Sequence, residues 1–191
     1  MQEAAGAEKG SMLTILGMDL ETVQGMIEKA RDGDVLVAAN WNSPQQIVAS
    51  GSQGAIERLQ RIAEDGGAKK TVELKVAGGF HSPLMKSATE KLQPHLERLT
   101  IRKPKVLFVP NRTGTVTSSP ETIRRCLLDQ ITDTVLWVPS VQTLKASGIT
   151  KAVEIGPGRV LRGLVRRTEP EIHVTSINTV EQAHAFGFAH N

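Results

Sequence analysis

Val35-Leu36-Val37-Ala38-Ala39-Asn40-Trp41-Asn42-Ser43-Pro44-Gln45-Gln46-Ile47-Val48-Ala49-Ser50 sets the plan of the first half of the chain. Two short apolar runs, Val35 to Ala39 and Gln46 to Ser50, flank a polar turn with a proline, the pattern of a β-hairpin. On the N-terminal side, residues 11–18 read as a buried strand that closes at Gly17. Residues 20–31 then place Leu20, Val23, Ile27 and Ala30 at helical spacing behind an Asp19 N-cap. On the C-terminal side, residues 53–66 repeat the amphipathic pattern through Ile56, Leu59 and Ile62 and stop at Gly66-Gly67. Residues 71–77 alternate apolar and polar, as a strand does. The order outward from the hairpin is β-α-β-β-α-β.

That order is the ferredoxin-like plan, and it is complete within residues 10–80. Beyond it the pattern changes. Residues 82–99 read as a helix, Lys105 to Pro110 as an apolar strand buried on both faces, and 119–131 as a helix with Ser119 as N-cap and Pro120 in its first turn. Val138 to Ser147 predicts a helix, Ala152 to Ile155 a buried strand, Arg159 to Arg167 a helix after Gly156-Pro157-Gly158, and Ile172 to Ile177 a strand. Alternating strands and helices predict part of a mostly parallel sheet with covered faces. The expected class is α/β with an α+β insert: a ferredoxin-like subdomain over 10–80, and a partial core built from 1–9 and 81–191.

Composition narrows the function classes. The 191 residues are 39% hydrophobic and only 3% aromatic, without tyrosine, so the core is aliphatic. No window reaches the length of a membrane span. Met1 to Gly10 lacks the basic start and apolar stretch of a signal peptide, so the expected setting is cytoplasmic. Cys126 is the only cysteine, which excludes an internal disulfide and a multi-cysteine metal site. Residues 1–95 carry 10 Lys and Arg against 12 Asp and Glu; residues 96–191 carry 13 against 8. No basic tract is interleaved with aromatics, which argues against nucleic acid. The basic second half is a solvated surface or the meeting place of an acidic partner.

The stretch that could carry chemistry is Gly78-Gly79-Phe80-His81-Ser82-Pro83-Leu84-Met85. His81 falls where a strand ends and a helix begins, a position that fixes a side chain while exposing it. A histidine in a soluble protein is more often structural than catalytic, and His95, His173, His184 and His190 keep that assignment. A histidine base in acyl transfer needs a nucleophile. No serine has glycine at both −2 and +2, so the Gly-x-Ser-x-Gly elbow is absent from these residues. Cys126 sits beside Leu127 and Leu128 in a predicted helix and reads as a buried, inert thiol. Gly156-Pro157-Gly158 is either a phosphate cradle at a helix start or a tight strand-to-helix joint. The following helix turns most of Arg159, Arg162, Arg166 and Arg167 to one face and Val160, Leu161, Leu164 and Val165 to the other.

Taken together, these segments resemble the malonyl-CoA:acyl-carrier-protein transacylase family and the acyltransferase domains of polyketide and fatty-acid synthases. The residues that carry the resemblance are Met1-Gln2-Glu3-Ala4, Asn40 to Gly51, Phe80-His81-Ser82-Pro83-Leu84-Met85, Val109-Pro110-Asn111, Gln130 with Val135-Leu136-Trp137, and Val153 to Gly158. They occur in family order over almost the whole chain, to about Asn178. The resemblance implies an α/β-hydrolase-like core with a ferredoxin-like insert. It implies transfer of malonyl from coenzyme A to a serine and then to the phosphopantetheine thiol of an acyl carrier protein. No metal or bound cofactor is implied; the coenzyme A thioester is a substrate. By the same resemblance His81 is the general base, and the backbone carbonyl of Gln130 orients it. Asn40, Asn42 and Gln46 lie near the acyl pocket. Phe80 precedes the base, where a Phe accompanies malonyl over methylmalonyl in the multidomain enzymes. The arginines at 159, 162, 166 and 167 fit an acidic carrier protein.

One departure is large. The family pattern places a malonate-binding arginine and a Gly-His-Ser-Leu-Gly elbow upstream of Met-Gln-Glu-Ala, and neither is present here. The expectation is therefore the C-terminal portion of a transacylase. It would be a gene fragment, a chain with a misplaced start codon, one half of a split enzyme with a separate N-terminal fragment, or a non-catalytic carrier-binding module.

Overall fold

A computed structural model describes residues 1–188. His190 lies outside the described residues. The chain divides into two compact units, Met1–Ser140 and Val141–Asn191.

The first unit opens with helix α1 (Gln2–Ala7), then β1 (Gly10–Leu16), α2 (Leu20–Arg31), β2 (Leu36–Ser43), β3 (Gln46–Ser52), α3 (Gln53–Asp65) and β4 (Lys70–Glu73). A single 3-10 turn, Pro83–Met85, leads into α4 (Lys86–Arg98), followed by α5 (Pro120–Asp129). Helix α6 (Trp137–Ala146) spans the division. The four strands form one antiparallel sheet in the order β2-β3-β1-β4. Strand β1 is central, and Ser11 to Ile15 are buried on both faces. One face carries Leu13, Ile15, Leu36, Ile47 and Ala49. Val23 and Ile27 of α2, with Ile56 and Leu59 of α3, close over it as a sealed aliphatic core. The helices start where the sequence places their caps: Asp19 accepts from the Thr22 amide at 2.8 Å, and Ser119 from the Thr122 amide at 3.2 Å.

Strand β2 is irregular. Its register against β3 skips at Ala39 and again at Asn42, so each is an extra, bulged residue. The outer side of β2 meets the segment before α6. Val135 forms a parallel bridge with Asn40, through Trp41 N–H to Val135 O at 2.9 Å and Val135 N–H to Ala39 O at 2.8 Å.

In the second unit, β5 (Lys151–Ile155) and β6 (His173–Ile177) form a two-stranded parallel sheet. Helix α7 (Val160–Thr168) buries Leu164 and Val165, and α8 (Val180–Phe188) follows.

Several expectations need correction. Lys105 to Pro110 forms no strand: the segment lacks ladder partners, and Val106 is 79% exposed. Prolines at 104 and 110 remove two of the amide donors a ladder would use. Of residues 71–77, the strand itself ends at Glu73, and the Leu74 amide still donates to the Met12 carbonyl at 2.8 Å. Residues 82–85 are not α-helical, because Pro83 starts a 3-10 turn first. Strand β5 is not buried, with Ile155 81% exposed, and on α7 Val160 and Leu161 face solvent. Helix α8 has only weak amphipathic patterning and is unsignalled in the sequence.

Candidate active site

The site grows from the second face of the four-stranded sheet. Residues paired across an antiparallel ladder share a face. Val48 pairs with Thr14 on one side and with Asn40 on the other. Gln46, Val48 and Ser50 alternate along β3 and lie on that face with Met12, opposite the α2–α3 core. Met12, Ala39 and Val48 form a small buried cluster there, and Phe80 and Leu74 pack onto it. Phe80 also packs against a cluster of Ala4, Ala5, Met85, Ala88 and Ile131. The ring is thus wedged between the sheet and the α1–α4 layer.

The chain reaches this wedge through two glycines in close quarters. A Cβ on Gly78 would sit 2.7 Å from the Cβ of Ala5 and 2.9 Å from its Cα, so α1 can approach only glycine. A Cβ on Gly10 would sit 2.7 Å from the Gly79 amide nitrogen. The next turn places His81 at φ 55°, a left-handed backbone rare outside glycine. Such a conformation costs about 1–3 kcal/mol and persists only where its surroundings enforce it.

The His81 ring is fixed at its far side. Nδ1 lies 2.7 Å from the backbone carbonyl oxygen of Gln130. Gln130 caps the C-terminus of α5, so its carbonyl is one of the acceptors a helix leaves without an internal partner. A carbonyl only accepts, so the proton of the pair is on Nδ1, and Nε2 of the neutral ring keeps its lone pair. The negative end of α5 lies beside a ring that would turn positive on taking a second proton. The motif segment Val109 to Asn111 joins Gln130, Phe108 and Cys126 in lining a cleft. The Asn111 carbonyl accepts from the Leu136 amide at 2.7 Å, which ties Asn111 to Val135-Leu136-Trp137.

The structure thus brings together His81, Gln130 and Phe80, and puts Asn40 and Gln46 on the sheet face that Phe80 covers. Asn42 is the bulged residue near the end of β2. All three polar side chains are half-buried. Two contributors had no sequence signal of their own. Thr134 donates to the Ala38 carbonyl at 2.7 Å and steadies the bulge. Ser82 is fully buried and donates to the Gly79 carbonyl at 2.6 Å.

Cys126 is buried and free, and desolvation pushes its thiol up from the ordinary value, which disfavours the thiolate. Among the described residues, no three His, Cys, Asp or Glu side chains group to hold a metal ion, and no helix is long and apolar enough to cross a membrane.

In the second unit, Gly156-Pro157-Gly158 is a joint and not an open cradle. Glu154 fills the α7 N-terminus, accepting from the Leu161 and Arg162 amides at 2.8 and 3.2 Å and from the Ser176 hydroxyl at 3.0 Å. Desolvation raises its pKa, but these bonds and the Arg162 charge outweigh that and hold the carboxyl below its ordinary value. Asn178 Oδ1 takes the Gly158 amide at 2.8 Å. Arg159, Arg162, Arg166 and Arg167 are all exposed.

The family described as "Acyl transferase domain" matches residues 9–187. The chain is 36% identical over 182 residues to a malonyl CoA-acyl carrier protein transacylase of Bacillus subtilis, covering 95% of this chain and 57% of that protein. It is 33% identical over 185 residues to the Haemophilus influenzae protein of the same name, covering 97% and 59%. Among solved structures, the malonyl-CoA:acyl carrier protein transacylase of Xanthomonas oryzae superposes with a TM-score of 0.90 at 33% identity, over 98% of this chain and 60% of that one. A malonyl-transacylase solved in complex with its type II polyketide-synthase acyl-carrier protein superposes with a TM-score of 0.90 at 32% identity, over 98% and 61%. The chain therefore spans about three-fifths of the length of these relatives. Over nearly all of its own length, this mixed α/β chain belongs to the acyl transferase domain family.

Proposed function

We propose that the chain carries the general-base portion of a malonyl-CoA:acyl-carrier-protein transacylase of fatty-acid or polyketide synthesis. The observation that supports this most directly is the 2.7 Å contact of His81 Nδ1 with the Gln130 carbonyl, which leaves Nε2 as the basic nitrogen. In the first half-reaction, Nε2 takes the proton of a serine hydroxyl as its oxygen attacks the malonyl thioester carbonyl. The C–O bond forms, the C–S bond breaks, and the imidazolium returns its proton to the departing coenzyme A thiolate. The second half runs in reverse with the phosphopantetheine thiol. Gln130 takes the orienting role of a third triad member without a charge. Asn40, Asn42 and Gln46 belong to the acyl pocket, and Phe80 narrows it in favour of malonyl. The coenzyme A thioester is substrate, with no resident cofactor.

The serine comes from polypeptide outside these 191 residues, consistent with the absence of a Gly-x-Ser-x-Gly elbow among them. In fold terms, residues 10–80 are a ferredoxin-like subdomain, a proposal supported by the β-α-β-β-α-β order and the β2-β3-β1-β4 sheet. Residues 1–9 and 81–191 are part of an α/β-hydrolase-like core. A cytoplasmic setting fits a chain whose one cysteine is buried and free.

The test is transfer of radiolabelled malonyl from coenzyme A to a holo carrier protein. The chain alone takes up no stable label. Mixed with the unmatched part of the Bacillus subtilis relative, it supports transfer, and His81→Ala lowers kcat about 10²–10⁴-fold. Label retained by the chain alone, or equal rates with and without His81, would contradict the proposal. Carrier binding is tested separately through the exposed arginines of the second unit. Arg162→Glu with Arg166→Glu weakens a salt-sensitive association, whereas unchanged binding removes that surface from the account.

A further inference from the structure

We infer that Ser82 is a positioning residue for His81: its hydroxyl closes the turn that holds the histidine backbone in its left-handed conformation and so keeps Nδ1 on the Gln130 carbonyl. The inference rests on the assignment of His81 as base.

The hydrogen bonds around the turn carry the argument. Phe80 N–H to Gly78 O, at 3.1 Å, lies before His81, and Met85 N–H to Ser82 O, at 3.0 Å, lies after it. Phe80 and His81 form a turn between Gly79 and Ser82, and the side-chain hydrogen bond across that turn runs from Ser82 Oγ to Gly79 O, at 2.6 Å. Both ends of that clasp are fixed. Gly79 is held in the close approach to Gly10, and Ser82 is wholly buried and followed by Pro83. Between them His81 keeps φ 55°, a conformation an unclasped turn would leave. The direction of the His81 Cα–Cβ bond follows from that backbone, and a 2.7 Å ring contact tolerates little rotation. Ser82 acts through His81 and has no part in bond making.

A purely structural hydroxyl would change stability and nothing else. The experiment therefore reads the imidazole of His81 by ¹⁵N NMR, following exchange of the Nδ1 proton with water. In Ser82→Ala, exchange accelerates about tenfold, the scale of one lost hydrogen bond. Ser82→Thr, which keeps the hydroxyl on a backbone already extended at φ −140°, exchanges as the wild type does. Ser140→Ala is the control: that hydroxyl is also buried and bonded to a carbonyl, Leu136 O at 2.7 Å, and its loss leaves His81 exchange unchanged. A wild-type rate in Ser82→Ala overturns the inference. Should Ser82→Ala not fold, Ser82→Cys replaces it; its weak donor speeds exchange, and a wild-type rate there overturns the inference equally. None of these readings requires catalysis, so a failed transfer assay and a failed clasp are told apart.

Discussion

The four-stranded sheet of the first unit and the two-stranded sheet of the second bury their apolar residues very differently. The first has helices α2 and α3 sealed on one face, and Phe80 with the Met12–Ala39–Val48 cluster on the other. The second has α7 packed near β6, while Val153 and Ile155 of β5 and Val160 of α7 remain in water. Parallel strands in folded proteins are covered on both faces. The difference teaches where rigidity is available: Phe80, the residue before the candidate base, is packed on the sealed sheet.

Breaking the sealed layer gives the largest effect. Leu59→Ala, at a fully buried position between α3 and the sheet, costs about 3 kcal/mol by denaturant unfolding of the first unit. A middle-sized effect is expected at Glu154, a buried carboxylate of the second unit. Glu154→Gln costs about 1 kcal/mol at neutral pH, the scale of a helix cap, with faster amide exchange at Leu161 and Arg162. Its pH dependence has a fixed sign. Because the folded carboxyl titrates below the ordinary 4.5, its contribution is whole above that pH and is lost as pH falls through the depressed value. The gap between wild type and Glu154→Gln therefore narrows in acid. Ile155→Thr, on the open face of β5, shifts stability by less than about 0.5 kcal/mol, because little apolar surface is lost. A cost at position 155 matching that at 59 would erase the contrast.

Much of the first unit is legible because its signals are local and agree with one another. Val23, Ile27 and Ala30 fall on one helical stripe, Asp19 and Ser119 cap their helices, and the hairpin lies around Asn40 to Pro44. The exception within that unit is 105–110, where an apolar run alone suggests a strand. Hydrophobicity supplies no ladder partner, and the prolines at 104 and 110 were the contrary signal. The bulges at Ala39 and Asn42 depend on pairing across β3 and on Val135, some ninety residues away, which no local pattern encodes. The link between His81 and Gln130, 49 residues apart, rests on family resemblance. No periodicity predicts a contact between a side chain and a distant helix-end carbonyl. The Ser82 clasp was invisible for a similar reason: a serine in sequence does not disclose which carbonyl it will reach. Glu154 decided the Gly156-Pro157-Gly158 question by filling the helix end itself.

The central claim is the tautomer of the His81 ring, and ¹⁵N NMR of the neutral imidazole tests it most directly. The account predicts a protonated Nδ1, coupled through its hydrogen bond to the Gln130 carbonyl, and an Nε2 with a free lone pair. A ring with its proton on Nε2 and no coupling to Gln130 would contradict it.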